Sequence, residues 1–120
     1  YKNMPVDNIL QTNGATGATM LALYALIEPE DHIISMYPTY QQLYDIPKSL
    51  GAEVDLWEVE EDKGWLPDLD QLRRLIRPNT KMICINNANN PTGALMDAAY
   101  LEELVAIAKE VGADNLSGKG

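Results

Sequence analysis

Apolar and polar positions alternate in two distinct rhythms along this chain. Met82-Ile83-Cys84-Ile85 is an unbroken apolar run, too short for a helix and too apolar for a strand with one wet face. It predicts a central strand covered on both sides. Ile33-Ile34-Ser35-Met36 reads as a second strand, and Asn8-Ile9-Leu10-Gln11-Thr12 as a shorter strand candidate. Residues 53–58 alternate polar and apolar, the pattern of a half-exposed edge strand. Helical stretches lie between these runs. Residues 20–27 are helical in composition and stop at Glu28-Pro29. Residues 41–50 put Leu43, Ile46 and Leu50 on one face; Pro47 should kink that helix or restart it, and Gly51 closes it. A third helix begins near Pro67, turns Leu69, Leu72, Leu75 and Ile76 inward, and ends at Pro78. A fourth is capped by Asp97, shows an apolar stripe of Leu101, Leu104, Val105 and Ala108, and closes at Gly112. Strands alternating with helices predict an α/β fold: a three-layer αβα sandwich on a mainly parallel sheet.

Composition narrows the partners. The 120 residues are 46% hydrophobic, enough for one domain with a real core. A net charge of −9 disfavours nucleic acid and anionic membrane surfaces, which need clustered Lys and Arg. It does not exclude a small phosphate, which backbone amides can bind. The single cysteine, Cys84, sits in the central strand and reads as a buried inert thiol rather than a nucleophile or metal ligand. No disulfide can form within the chain, which fits a cytoplasmic protein. No apolar run approaches the roughly 20 residues of a membrane span, and no signal peptide opens the chain. The acidic loop at 60–64 and the arginines Arg73, Arg74 and Arg77 read as solvated charge, the latter favourably placed at a helix C-terminus.

Three strand-to-helix turns carry the candidate chemistry. The first is Asn13-Gly14-Ala15-Thr16-Gly17-Ala18-Thr19, a Gly-rich turn into a helix N-terminus. Such a turn presents free N–H groups and a positive dipole end to an anion. Its Gly-x-x-Gly spacing is neither a Walker loop nor a dinucleotide fingerprint, and Gly14 and Gly17 would equally serve tight helix–sheet packing. The second is Tyr37-Pro38-Thr39-Tyr40, whose Tyr40 is on its own an ordinary interior aromatic. The third is Asn86-Asn87-Ala88-Asn89-Asn90-Pro91-Thr92-Gly93, where amides follow a buried strand. Asn is common in turns because it bonds nearby backbone, yet here the amides sit at the carboxyl edge, where open α/β sheets bind ligands.

Asn89-Asn90-Pro91-Thr92-Gly93 closely resembles the Asn-Pro-Thr-Gly signature of class I/II aminotransferases, the fold-type I enzymes that use pyridoxal 5'-phosphate (PLP). The other two turns have counterparts in the same order in that family's large domain, and the resemblance covers about residues 5 to 113. It implies that Gly14, Ala15 and Thr16 hold the cofactor phosphate, that Tyr40 stacks on the pyridine ring, and that Asn90 bonds the ring oxygen. Gln11 to Ala18 and residues 38–42 look most like the branch of capreomycidine-synthase-like enzymes and PLP-dependent arginine oxidases. The implied parent enzyme transfers an amino group between amino-acid and keto-acid substrates, or does related carbanion chemistry.

The family also needs an Asp at the pyridine nitrogen, a Lys for the Schiff base and an Arg for the substrate carboxylate, and the sequence carries none of them at the expected places. Residues 1–113 therefore read as the N-terminal part of a PLP-binding large domain that is inactive alone, so no residue is assigned a catalytic role. Residues 114–120 read as a loose polar tail or junction. The chain opens on Tyr1, which fits a piece of a longer protein. By the family's topology, the strands at 33–36, 53–57 and 82–86 are neighbours with 53–57 at the edge. The strand before Gly14 then lacks its partners, which favours self-association into a homo-oligomer. The readings that compete are a non-catalytic α/β module binding a phosphate-bearing ligand or a protein, and a decayed remnant.

Overall fold

A computed structural model describes residues 2–112 and, for the backbone alone, residues 114–119. Its elements in chain order are α1 (Gly14–Leu26), β1 (His32–Tyr37), α2 (Gln42–Ser49), β2 (Glu53–Glu58), α3 (Leu69–Leu75), β3 (Thr80–Asn87), α4 (Ala98–Val111) and β4 (Asp114–Lys119). The four strands form one parallel sheet in the order β2-β1-β3-β4. As expected, β2 is an edge strand and β1 and β3 are central.

The continuous apolar runs are explained by two cores. Ile33, Met82 and Cys84 face one side, with Leu23 of α1 and Leu43 of α2. Ile34, Met36, Ile83 and Ile85 face the other, with Leu72 of α3 and Leu104 and Ile107 of α4. In register, Ile33 lies beside Met82 and Ile34 beside Ile83, so successive residues feed opposite cores. With α1 and α2 on one face and α3 and α4 on the other, this is the predicted three-layer αβα arrangement.

Local chemistry sets the helix ends. Asp68 accepts from the Asp70 N–H at 2.8 Å, and Asp97 from the Tyr100 N–H at 2.8 Å. Gly112 ends α4 at φ +68°, where an L side chain would be strained. The Trp57 indole donates to the Asp68 carbonyl at 2.8 Å, and the Tyr100 hydroxyl to the Pro67 carbonyl, which pins the start of α3 to β2 and α4.

The structure departs from expectation at five places. The strand at 8–12 does not form; residues 6–8 make a single 3-10 turn and 9–12 join no ladder. No neighbouring strand reaches them, so the apolar pattern has nothing to pair with. Residues 114–119 are not a loose tail but β4, parallel to β3. The open edge of β3 explains this, because unpaired N–H and C=O groups gain from pairing whatever the side chains are. Helix α1 starts at Gly14 rather than near Met20. Helix α2 runs through Pro47 without a break, since the proline deletes one hydrogen bond of a short helix and is itself buried. On α4 the buried stripe is Leu104, Ile107 and Ala108, while Val105 is exposed, a small rotation of the predicted face. No helix among the described residues is long and apolar enough to cross a membrane.

Candidate functional site

The turns after β1 and β3 both leave the carboxyl edge of the sheet, and α1 presents its N-terminus to them. Gly14 stands at φ +68°, and the Thr12 hydroxyl donates to its carbonyl at 2.9 Å. Asn13 is the N-cap but contributes no side-chain cap bond. The first-turn amides of Ala15 and Thr16 are thus free of a capping side chain, and the first turn holds no acidic residue. Gly14 and Ala15 are exposed, and Thr16 is half-buried. This helix end is suited to an anion.

The Thr16 hydroxyl lies 2.6 Å from the Tyr40 hydroxyl, so the first turn touches the second directly. Tyr40 is half-buried and stands just before α2. The second turn is tied to the third by Asn89, whose side chain is buried. Its Oδ1 accepts from the Thr39 hydroxyl at 2.9 Å. Its Nδ2 donates to the Pro38 carbonyl and to Thr92 Oγ1, both at 2.9 Å. Its main chain closes the turn as well, with the Gly93 N–H donating to its carbonyl at 2.7 Å and its own N–H to the Ala94 carbonyl at 2.9 Å. The Asn90 N–H donates to Asn86 Oδ1 at 2.7 Å, while the Asn90 side chain is exposed. Asn87 brackets Met96, donating to its carbonyl at 3.2 Å and accepting from its N–H at 2.9 Å.

Of the sequence-predicted residues, Thr16 and Tyr40 are in contact, and Asn90 is held on the clamp that also fixes the Tyr40 turn. Gly14 and Ala15 lie beside Thr16 at the same helix end. Sequence reasoning missed Asn89 and Thr39, which hold the arrangement without facing outward. The Thr after Pro38 and the doubled Asn were the signals in the sequence. The amide run thus divides its labour: Asn86, Asn87 and Asn89 serve the local fold, and Asn90 is left free to face solvent.

The surroundings are mostly neutral. Burial pushes the Cys84 thiol up to about 12, so at neutral pH it is a protonated, inert core group, as its position in the sequence predicted. The Tyr44 hydroxyl, next to the second turn and in edge contact with Tyr37, is raised by burial and by Asp45. The sheet's amino edge carries the charged chemistry instead. Thr80 Oγ1 accepts from the Arg77 N–H at 2.8 Å and lies 2.7 Å from His32 Nδ1. His32 Nε2 lies 3.0 Å from Asp55 Oδ2, which Arg77 also reaches at 3.0 Å. This resembles a hydroxyl–imidazole–carboxylate relay, but Thr80 is buried and its oxygen already accepts a backbone bond. It is a staple across β1, β2 and β3. Two of the three arginines read as solvated charge are exposed and also paired: Arg77 with Glu53 and Asp55, and Arg73 with Asp70 and Glu103.

The donor set fits a phosphorylated heteroaromatic such as PLP. An uncapped helix start can take the phosphate, a half-buried aromatic lies beside it, and a free amide can bond a phenolate oxygen without titrating. The three turns contain no lysine.

Residues 1–113 match the family described as aminotransferase class I and II. The aspartate aminotransferase of Thermotoga maritima is 34% identical over 111 residues, which is 91% of this chain and 29% of that protein. Among solved structures, a PLP-dependent aminotransferase from Streptococcus suis superposes with a TM-score of 0.94 at 75% identity, over 98% of this chain and 31% of that one. The aspartate aminotransferase of Thermus thermophilus with maleate superposes at 0.81 and 30% identity, over 85% of this chain and 27% of that one. The chain thus spans less than a third of the length of the relatives it matches.

Proposed function

The chain belongs to the class I and II aminotransferase family, and from that premise we propose that residues 1–113 form the N-terminal part of a PLP-binding large domain. Gly14, Ala15 and Thr16 hold the cofactor phosphate through the free amides of the α1 start and the Thr16 hydroxyl. Tyr40 covers the ring, and Asn90 bonds the ring oxygen. When bound, PLP supplies the electron sink that lets an amino acid lose a proton or its amino group. The contribution of these residues is to bind and orient it. The whole enzyme works on amino-acid and keto-acid substrates as a cytoplasmic homo-oligomer. The strings at 11–18 and 38–42 favour the capreomycidine-synthase-like branch within the family. Residues 1–120 by themselves do not turn over and bind the cofactor weakly or not at all, and then only without a covalent bond, because the three turns offer no Schiff-base lysine.

The observation that carries this reading is the pair of links between turns distant in sequence: Thr16 to Tyr40 at 2.6 Å, and Thr39 to Asn89 at 2.9 Å. The test is a PLP titration of this chain, followed by cofactor absorbance and by Trp57 and Trp65 fluorescence. Saturable binding, weakened about tenfold by Asn90→Ala, is expected for the loss of one hydrogen bond to a charged oxygen. A folded chain showing no saturable binding up to millimolar PLP would mean that the three turns do not assemble a pocket in this chain, and would overturn the reading of it as a formed half-site.

A further inference from the structure

Asn13 is exposed, and among the described residues its side chain has no hydrogen-bond partner. It is also the only asparagine of the chain that precedes a glycine. A side chain on the following residue would shield the backbone nitrogen there, and Gly14 has none. A Cβ placed on Gly14 would meet nothing within 4 Å, so the space around it is open. Asn13 stands at the centre of an inverse γ-turn, at φ −75° and ψ 83°, closed by the Gly14 N–H donating to the Thr12 carbonyl at 3.0 Å. That bond belongs to no helix or strand ladder. Asn13 precedes α1, so turning its ψ breaks this bond and the 3.3 Å bond from the Gly17 N–H to its own carbonyl, and leaves the rest of α1 in place. A groove of about 590 Å³ beside residues 11–13 gives water access. The positive end of the α1 dipole lies at Gly14 and favours negative charge on its nitrogen.

We propose that Asn13 is a self-modification site, where a neutral amide turns into a carboxylate at the start of α1. The Gly14 nitrogen gives its proton to solvent base and attacks Asn13 Cγ. A C–N bond forms, the side-chain nitrogen takes up a proton and leaves as ammonia, and a succinimide ring closes. Water then adds to one of the two ring carbonyls and breaks its bond to the Gly14 nitrogen. Opening at Cγ gives an aspartyl residue; opening at the main-chain carbonyl gives the isoaspartyl isomer. The net reaction turns an amide and water into a carboxylic acid and ammonia, with no change of oxidation state. Either product adds one negative charge beside Gly14, Ala15 and Thr16. The aspartyl carboxylate caps α1 and takes up first-turn amides. The isoaspartyl product also lengthens the main chain by a methylene and displaces the turn. A helix end that is open to an anion in the fresh chain is thereby filled from within in the aged one. The modification is independent of the cofactor reading, and only its consequence for the cofactor phosphate rests on that reading.

The test incubates the folded chain at neutral and at mildly alkaline pH and samples it over days. Peptide mass spectrometry follows the gain of one mass unit at each asparagine, and methyl transfer by an isoaspartyl methyltransferase follows the isomer. Asn8, exposed but followed by Ile9, and the buried Asn89 are internal controls. Asn13 should be modified at least about 30-fold faster than Asn8, because only its neighbour lacks a side chain. The rate should rise with pH and lie within about tenfold of that in urea, since no opening of the core is needed. A rate at Asn13 no higher than at Asn8 would overturn the proposal. So would a folded-state rate about 100-fold or more below that in urea, which would show that the fold locks the Asn13 backbone. Asn13→Asp set against Asn13→Ser, both able to cap α1, isolates the added charge. Weaker PLP binding in the first alone is expected, and equal binding would overturn the consequence for the phosphate. An unsubstituted chain that binds no PLP removes the cofactor reading and that consequence together, while the mass result decides the modification by itself.

Discussion

Asn89 shows how one buried amide can organise a site that it does not enter. Both of its side-chain polar atoms are spent on bonds between turns fifty residues apart in sequence. Replacing it by Ala strands the Thr39 hydroxyl and the Pro38 carbonyl, which should cost about 2–4 kcal/mol. Asn90→Ala, on an exposed side chain, should stay within about 0.5 kcal/mol. Urea unfolding of the two variants checks the contrast; equal losses would remove Asn89 from its structural role. Cys84 makes a prediction in pH. Its thiol is raised from an ordinary value of 9.0 to about 12, so between those values the unfolded chain releases a proton that the folded chain keeps. Stability is unaffected by this group below about pH 8 and falls as pH rises from 9 to 12, by about 1.4 kcal/mol per pH unit. Cys84→Ala should lower stability at pH 7 through the lost packing, but flatten that alkaline slope. Unfolding free energies measured from pH 7 to 11 decide it.

At the scale of elements, α1 is expected to open first. The other helices each bury an apolar stripe or are pinned by capping and indole bonds, whereas α1 buries only Leu23 within its span, with Ile27 following it into the same core and Thr16 tied to Tyr40. Leu23→Ala should cost about 2–4 kcal/mol by leaving a cavity against Ile33 and Met82. It should also free the α1 amides to exchange well before those of β1 and β3. Hydrogen exchange resolved by element tests this: uniform loss across all helices would mean that α1 is no looser than the rest. The contrast has a sequence cause. Helix α1 is apolar on every side, so its pattern gives no single inward face, and burial of that kind of helix needs cover from several directions.

At the scale of the molecule, the sheet depends on its edges. β3 is apolar on both faces and is protected along one side by β1 and along the other by β4. Deleting residues 114–120 should expose that ladder and the apolar run beside it. The expected outcome is a rise in static light scattering with concentration and a lower melting temperature. A deletion variant that stays monomeric and melts unchanged would show that β4 adds nothing.

The sequence by itself determined the α/β class, the two central strands, the position of β2 at the edge, the caps at Asp97 and Gly112, and the inert burial of Cys84. These follow from local periodicity and single-residue conformational preference, which are properties of short stretches. It also placed Thr16, Tyr40 and Asn90 in turns at one sheet edge. Only the tertiary structure decided that Thr16 meets Tyr40, that Asn89 rather than Asn90 is the buried clamp, and that Arg77 is paired beside the His32 staple. The same holds for residues 9–12 and 114–119. The apolar pattern of the first suggested a strand and the polar pattern of the second a tail, yet the outcome was reversed. A strand is made by the backbone partner beside it, and which edge of β3 is open is a fact about the whole sheet that no local pattern contains.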